Sequence, residues 1–331
     1  MPQTDLPPFF SRTATGDLQV EQVSATAIVE RFGSPTYVYS RAAIESAFNA
    51  LTEAFGERAH RICYAVKANS NIGILNLLAR LGAGFDIVSY GELARVLAAG
   101  GDPARTVFSG VGKSADEIRG ALAAGIGCLN VESEAELHRI AETAREMQTT
   151  APISLRVNPD VDARTHPYIS TGLKDNKFGI AIDAALPLYE WAHAQPSLSV
   201  VGIDCHIGSQ LTEVSPFRDA AERVMKLAHQ LSERGIELAH LDLGGGLGIR
   251  YTDEQPPAAA DWIEAIRSVV DADPLARRLP IWIEPGRFIA GPAGALITQV
   301  EYLKPGEHKS FAIIDAAMND LMRPALYGSD M

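Results

Sequence analysis

The sequence predicts an α/β protein whose main part is a (β/α)8 TIM barrel. Eight short apolar runs alternate with longer amphipathic segments between residues 38 and 289, an alternation typical of βα units. Most runs are apolar on both faces, as parallel strands covered on both sides are. Eight strands are the number that closes such a barrel. The predicted strands are Ile62–Ala68, Gly84–Ser89, Thr106–Gly110, Cys128–Glu132, Ile153–Asn158, Val200–Ile207, His240–Gly244 and Pro280–Glu284.

The segments between the runs have apolar residues at helical spacing. Ser114 and Ser133 each precede such a segment and are followed three residues later by a glutamate, the pattern of a capped helix start. The predicted helices are Ile72–Leu81, Glu92–Ala99, Ala115–Ala124, Glu134–Met147, Ala184–His193, Phe217–Arg234 and Ala259–Val270.

The two ends of the chain differ from this pattern. Residues 1–37 form a short segment that contains proline and is partly β-like in pattern. Residues 290–331 contain two predicted strands, Gly294–Tyr302 and His308–Asp315, which are joined by a turn at Pro305-Gly306. We therefore expect a β domain formed by both ends beside a barrel over residues 38–289. We expect that domain to be incomplete, because a ribbon of two or three strands is marginally stable.

Composition and charge exclude several classes of protein. The formal net charge is −12, from 29 basic and 41 acidic residues, which disfavours binding to nucleic acid. The start of the chain has no signal-peptide pattern, and no run approaches the roughly 20 apolar residues of a membrane span. Three widely spaced cysteines in apolar runs exclude a disulfide framework and a CxxC metal site. We expect a cytoplasmic protein without a metal centre.

The first two strand ends offer an amine and a carboxylate where a barrel holds its reacting groups. Lys67 follows an apolar run, where desolvation lowers a lysine pKa and makes the amine a nucleophile towards a carbonyl. The alternative is a lysine that merely extends to the rim of the barrel. Asp86 also lies in an apolar run, and it either neighbours a ligand or caps the following turn.

Later strand ends offer groups that suit a flat anionic ligand. His206 is followed by Gly208 and Ser209, so a ligand could stack on the imidazole beside a hydroxyl group. Gly244–Gly246 would expose backbone N–H groups to a phosphate, and barrel phosphate sites often use the loops after strands 7 and 8.

The eighth strand ends in Glu284, Pro285, Gly286 and Arg287, which supply a carboxylate, a tight turn and a guanidinium fork for an anion. The strand ends together provide an amine, a stacking group, a phosphate cradle, a carboxylate and an anion clamp. A flat, phosphorylated aldehyde with a ring nitrogen fits this set, and pyridoxal 5′-phosphate is such a molecule.

Several segments resemble motifs of the diaminopimelate decarboxylases, which are fold-type III pyridoxal-phosphate-dependent decarboxylases. The motifs occur in the family's order over almost the whole chain: Tyr64–Asn69, His166–Gly179, His206–Gln210, Gly244–Gly248, Glu284–Arg287 and Met318–Tyr327. The resemblance implies an alanine racemase-like barrel with a β domain, which works as a head-to-tail homodimer with shared active sites. It also implies decarboxylation of meso-2,6-diaminopimelate to L-lysine, the last step of lysine biosynthesis.

The resemblance further implies roles for individual residues. Lys67 would bind pyridoxal 5′-phosphate covalently, with Asp86 as a neighbour of the cofactor. Glu284 would contact the ring nitrogen, where an ionised carboxylate favours the charged pyridinium. The other implied cofactor contacts are His206 with the ring, and Ser209, Gly244, Gly245, Gly246, Gly286 and Arg287 with the phosphate. The implied substrate contacts are Arg287, Arg323 and Tyr327 with the carboxylates.

The resemblance stops before the family's C-terminal part. That part contains a Cys-Glu-Ser-Gly-Asp motif through which the partner subunit completes the active site, whereas no cysteine follows Cys205 in this sequence. We expect a shortened form of a longer gene product, or a second chain that supplies the segment. The shortened form would bind the cofactor yet decarboxylate poorly.

Two other functions are compatible with the sequence. A related decarboxylase acting on ornithine, arginine or carboxynorspermidine would use the same cofactor site, although Ile207, Gln210 and His166–Gly179 favour diaminopimelate. A non-catalytic pyridoxal-phosphate-binding protein would need neither Glu284 nor Arg323.

Overall fold

The computed structural model describes residues 6–161 and 177–327. Within them, one compact unit contains residues 48–161, 177–249 and 255–288, and a smaller one contains residues 6–47, 250–254 and 289–327. Most of the predicted loop His166–Gly179 lies outside the described residues. Within the two described ranges, no helix combines the length and the apolar character needed to cross a membrane.

The described elements are numbered in chain order. The strands are β1 (Phe10–Arg12), β2 (Leu18–Val20), β3 (Val23–Ser24), β4 (Thr36–Tyr39), β5 (His60–Ala65), β6 (Gly84–Ile87), β7 (Thr106–Phe108), β8 (Cys128–Val131), β9 (Ala151–Asn158), β10 (Ile180–Ala181), β11 (Leu198–Asp204), β12 (His240–Asp242), β13 (Ile281–Ile283), β14 (Gly294–Ile297), β15 (Val300–Lys304) and β16 (Phe311–Ile314). The helices are α1 (Ala25–Phe32), α2 (Arg41–Phe55), α3 (Ile72–Arg80), α4 (Tyr90–Ala98), α5 (Ala115–Ala124), α6 (Glu134–Glu146), α7 (Ile182–His193), α8 (Ser215–Ser232), α9 (Ala259–Val270), α10 (Arg287–Ala290) and α11 (Met322–Tyr327).

The larger unit is a closed barrel of eight parallel strands, as the sequence predicts. Strands β5, β6, β7, β8, β9, β11, β12 and β13 pair in this order, and β13 pairs with β5 to close the barrel. Most strands end one to three residues earlier than predicted, because the residues beyond them lie in loops, turns or helix starts. Ser89, for example, caps α4 by accepting the N–H of Glu92.

The predicted strand that contains Lys67 is too long. Strand β5 ends at Ala65, and Lys67 lies in the 3-10 turn Val66–Ala68 that follows. The N–H of Ala65 donates to the carbonyl of Pro285 at 3.1 Å, and beyond this bond the chain turns. Lys67 is therefore a turn residue at the mouth of the barrel rather than a residue of the strand.

The barrel interior near the amino ends of the strands is apolar and aromatic. Cys63, Val107 and Cys128 form a buried cluster with Trp282. The ring of His240 stacks on Trp282 with a centroid separation of 3.5 Å. Packing of this kind favours the compact state.

The smaller unit contains an antiparallel β1–β2–β3 sheet, the antiparallel pair β4–β14 and the ribbon β15–β16. The predicted single strand Gly294–Tyr302 is wrong, because Thr298 and Gln299 interrupt it. The Thr298 hydroxyl and the Gln299 N–H both donate to Asp315 Oδ1, at 2.5 and 3.0 Å. Helices α1, α2, α10 and α11 were not among the predicted helices.

Ser114 caps the amino end of helix α5, as the sequence predicts. Ser114 accepts the N–H of Glu117 at 3.2 Å, and the Glu117 carboxylate accepts the N–H of Ser114 at 3.1 Å. We expect Ser114→Ala to lower the free energy of unfolding by about 1 kcal/mol in urea denaturation. Ser268→Ala, on the exposed face of α9, is the control and should change it far less. Equal effects would contradict a capping role for Ser114.

Candidate active site

The amine of Lys67 lies beside a fully buried carboxylate at the mouth of the barrel. Lys67 Nζ is 3.0 Å from Asp86 Oδ2, and the lysine side chain is 50% exposed. Desolvation acts to lower the pKa of Lys67, but the charges of Asp86 and Glu284 outweigh it and raise that pKa. The expectation of a lowered pKa is therefore wrong for the cofactor-free protein, because the sequence pattern did not reveal the ion pair.

Glu284 is buried directly after β13. Its N–H donates to the carbonyl of Gly244 at 2.7 Å, and its Oε1 accepts a hydrogen bond from Asn130 Nδ2 at 3.3 Å. Burial, followed by the nearby carboxylates Asp86, Asp242 and Asp204, raises the pKa of Glu284 well above its usual range. Nearby negative charges thus oppose ionisation of Glu284 in the cofactor-free protein, and its expected ionised state beside a ring nitrogen stays a prediction.

The glycine loop passes too close to its neighbours for any side chain. A Cβ on Gly245 would lie 2.0 Å from the carbonyl oxygen of Glu284, and Gly246 has a φ of +111° that residues with a side chain rarely adopt. The N–H of Gly244 donates to Asp242 Oδ1 at 3.0 Å. The loop is therefore a closely packed backbone surface beside Glu284.

His206 follows β11 and adjoins this loop. Its Nδ1 accepts the N–H of Gly245 at 3.1 Å. Burial and the charges of Arg156 and Lys67 lower the pKa of His206 well below its usual range. The imidazole is therefore neutral, with Nδ1 as the acceptor and the proton on Nε2. Because Gly244 and Gly245 donate to Asp242 and His206, their N–H groups already have acceptors within the protein.

The segment after Glu284 contacts both Ser209 and the residue before the Lys67 turn, Ala65. Arg287 Nη2 donates to Ser209 Oγ at 3.3 Å, and Arg287 begins the short helix α10. A Cβ on Gly286 would lie 3.0 Å from the Cβ of Ala65, so Gly286 passes close to the Lys67 turn. The structure thus brings together the barrel residues that the sequence singled out.

Several polar residues of the barrel interior were not predicted as site residues. Arg156 Nη1 is 3.0 Å from Glu132 Oε1, and both side chains are buried. Asn130, Asp204 and Asp242 also face the interior near Glu284. The sequence could have indicated them, because each is a polar residue in or directly after an apolar strand. Asp204 and Asp242 also stand two positions before His206 and Gly244, which were predicted as site residues.

The remaining predicted residues belong to the smaller unit. Arg323 and Tyr327 lie on helix α11, where the Arg323 side chain is half-buried. Their contact with the substrate stays a prediction.

The barrel residues fit pyridoxal 5′-phosphate. Lys67 offers a half-exposed amine to an aldehyde, His206 offers a flat neutral ring, and Glu284 offers a carboxyl group to a ring nitrogen. The glycine loop adds a backbone without side chains beside Glu284, next to the Ser209 hydroxyl group that Arg287 contacts. Arg287 adds a guanidinium at the same strand ends.

Comparison with known proteins agrees with this fit. Residues 41–291 match the family model described as "Pyridoxal-dependent decarboxylase, pyridoxal binding domain". The diaminopimelate decarboxylase of Pseudomonas aeruginosa is 61% identical over 311 residues, which are 94% of this chain and 74% of that protein. The chain belongs to the diaminopimelate decarboxylase family. The predicted family and cofactor class are therefore confirmed.

Other members of the diaminopimelate decarboxylase family are similarly close. The Vibrio cholerae protein is 57% identical over 319 residues, which are 96% of this chain and 76% of that protein. The crystal structure of the Helicobacter pylori enzyme complexed with L-lysine matches with a TM-score of 0.88 and 46% identity, over 92% of this chain and 76% of that one. The chain thus spans 74–76% of the length of these relatives.

The Lys67–Asp86 ion pair predicts a pH effect. Asp86 raises the pKa of Lys67, so Asp86→Asn should lower it and increase the neutral, nucleophilic fraction of the amine at a given pH. We expect the pH midpoint for formation of the visible absorbance band with added pyridoxal 5′-phosphate to move to lower pH. Asp219→Asn, on the exposed face of α8, should leave the midpoint unchanged. An unchanged or higher midpoint in Asp86→Asn would refute the effect.

Proposed function

We propose that this chain releases carbon dioxide from meso-2,6-diaminopimelate and forms L-lysine with pyridoxal 5′-phosphate bound at Lys67. The observation that carries the proposal is the half-exposed amine of Lys67, which faces Asp86 at the same barrel mouth as Glu284 and the glycine loop. The names of the relatives and the L-lysine bound to the Helicobacter pylori enzyme support the substrate and the product.

The barrel residues have complementary roles in this proposal. Bound at Lys67, the cofactor serves as an electron sink for the carbon that loses carbon dioxide. His206 stacks on the ring, and Glu284 holds a proton at the ring nitrogen. The phosphate is held by Ser209, Gly246 and the backbone of Gly286 and Arg287. Gly244 and Gly245, whose N–H groups donate to Asp242 and His206 in the cofactor-free protein, would contact the phosphate only if these bonds gave way. Asp86 orients the Lys67 amine through the ion pair seen in the structure.

We propose that Arg287, Arg323 and Tyr327 bind the carboxylates of the substrate. A guanidinium and a phenol hydroxyl are suitable partners for a carboxylate, and an arginine can bind one through two parallel hydrogen bonds. Arg287 supports this role by its position beside Ser209.

We also propose a cytoplasmic homodimer with shared active sites. The directly paired residues Tyr302 and Ile313 of the β15–β16 ribbon are 72% and 44% exposed, and exposed apolar side chains of this kind can contact partners. The three free, buried cysteines suit a reducing compartment. Light scattering from the purified protein tests the dimer, and a monomeric mass would contradict it.

Removal of the proposed anchor should abolish both cofactor attachment and turnover. We expect Lys67→Ala to lose the visible absorbance band with added pyridoxal 5′-phosphate and the release of carbon dioxide from meso-2,6-diaminopimelate. Lys226→Ala, on the exposed face of α8, should retain both. A band of wild-type intensity in Lys67→Ala would refute the assignment. Faster release from ornithine or arginine by the wild type would instead favour a related decarboxylase.

The substrate role of Arg323 is separable from cofactor binding. A lost hydrogen bond to a charged group costs about 1.5–3 kcal/mol, so kcat/KM for meso-2,6-diaminopimelate should fall roughly 10- to 100-fold in Arg323→Gln. The visible band should be unchanged. Arg277→Gln, an exposed control, should keep the wild-type kcat/KM. A wild-type value for Arg323→Gln would contradict the proposed contact.

A further inference from the structure

Three carboxyl groups from adjacent strands meet inside the barrel. Oxygen atoms of Asp204, Asp242 and Glu284 lie within 4.8 Å of one another. Asp204 and Asp242 are completely buried, and Glu284 is 5% exposed. Asp204 ends β11, Asp242 ends β12, and Glu284 directly follows β13. The parallel ladder therefore fixes their proximity.

This carboxyl cluster has few hydrogen-bond donors. Within residues 6–161 and 177–327, both oxygens of Asp204 and Oδ2 of Asp242 lack a hydrogen-bond partner. The nearest cations already have acceptors, since Arg156 pairs with Glu132 and Lys67 pairs with Asp86. Three ionised carboxylates in this arrangement would repel one another, and the charges of Arg61, Lys67 and Arg156 offset this only in part, whereas shared protons remove the repulsion.

An independent contact orients Glu284 within the cluster. Asn130 Oδ1 accepts the Ser154 hydroxyl at 2.6 Å, which fixes the amide so that its Nδ2 faces Glu284 Oε1 at 3.3 Å. Nδ2 also lies 3.2 Å from Ser109 Oγ. Glu284 is thus held by a neutral donor on one side and faces two carboxyl groups on the other.

We propose that Asp204 and Asp242 are positioning residues that keep the Glu284 carboxyl protonated until the cofactor's ring nitrogen lies beside it. The proposal rests on the function proposed for Glu284. When the cofactor binds, the Glu284 O–H bond breaks and the electron pair stays on the carboxylate. The proton passes to a ring nitrogen that arrives unprotonated, or to solution when the nitrogen arrives protonated, and nothing is oxidised or reduced.

The electrostatic surroundings support this assignment. Burial, with the neighbouring Asp86, raises the pKa of Asp242 to about 7, and burial with the charge of Asp242 raises the pKa of Asp204 well above its usual range. The other titratable or charged groups that interact electrostatically with the cluster are Arg61, Cys63, Lys67, Asp86, Cys128, Glu132, Arg156, Tyr189 and Cys205.

The raised pKa values of the cluster determine how the stability of the folded protein depends on pH. A carboxyl group whose pKa is raised on folding stabilises the folded state fully at a pH below its pKa in the unfolded chain, which is about 4. This stabilisation is lost as the pH rises through the pKa of the group in the folded protein. The cluster of the cofactor-free protein should therefore lose stability from about pH 4 up to pH 7 and beyond. Replacing Asp204 and Asp242 by asparagine should make that loss smaller, as measured by urea denaturation at several pH values.

Infrared spectroscopy of the cofactor-free protein tests the protonation of Glu284 directly. A C=O band of a protonated carboxyl group that is present in the wild type and absent from Glu284→Gln belongs to Glu284. In the double variant Asp204→Asn/Asp242→Asn, the pH midpoint of that band should fall by at least about one unit. Asp219→Asn should not change it. An unchanged midpoint, or no protonated Glu284 band in the wild type at pH 7, would overturn the proposal.

Proton counting during cofactor binding provides the second readout. In weakly buffered solution at equal pH, the double variant should take up about one more proton, or release one fewer, per pyridoxal 5′-phosphate bound than the wild type. Equal counts would overturn the proposal. If the double variant fails to fold, each single variant is measured, and each should move the Glu284 band in the same direction.

The two proposals fail in distinguishable ways. Absence of a visible band in the wild type with added pyridoxal 5′-phosphate would reject the proposed function. The infrared midpoint of Glu284 needs no cofactor, so its response to Asp204→Asn and Asp242→Asn would still support or reject the positioning role.

Discussion

The pairing of the last barrel strand with the first positions the rest of the site. Strand β13 hydrogen-bonds to β5, and the Pro285 carbonyl accepts the N–H of Ala65 immediately beyond the paired residues. This bond brings the segment after Glu284 against the turn that carries Lys67. Because Gly286 passes so close to Ala65, a larger residue there would separate the two segments. Barrel closure thus fixes the amine and the carboxyl group at one mouth.

The barrel interior near this mouth contains more carboxyl groups than cations among the described residues. Asp86 and Glu132 use the charges of Lys67 and Arg156, which leaves Glu284 among further carboxyl groups. The same imbalance therefore raises the pKa of both the amine and the carboxyl group. A cofactor that carries a phosphate and a ring nitrogen changes the charges around the Lys67 amine and the Glu284 carboxyl group. Cofactor binding is therefore coupled to the protonation of these two groups.

The barrel could be predicted because each of its strands is an apolar run long enough to recognise, and parallel order follows from the helices between them. The turn at Lys67 could not, because it depends on the hydrogen bond from Ala65 to a residue far away in the sequence. Asn130 and Asp204 were missed as site residues because only the barrel shows that they face Glu284. The smaller unit was predicted less well, since Asp315 interrupts its predicted strand through hydrogen bonds that no local pattern reveals. The roles of the site residues stay predictions.

The proposed site depends on a covalent bond between Lys67 and the cofactor. Borohydride reduction of the protein with pyridoxal 5′-phosphate, followed by proteolysis and mass spectrometry, tests it most directly, because reduction makes the bond between amine and aldehyde permanent. We expect one modified peptide, which contains Lys67 and has gained the mass of the phosphopyridoxyl group. Modification of another lysine with Lys67 unmodified, or no modified peptide, would contradict it.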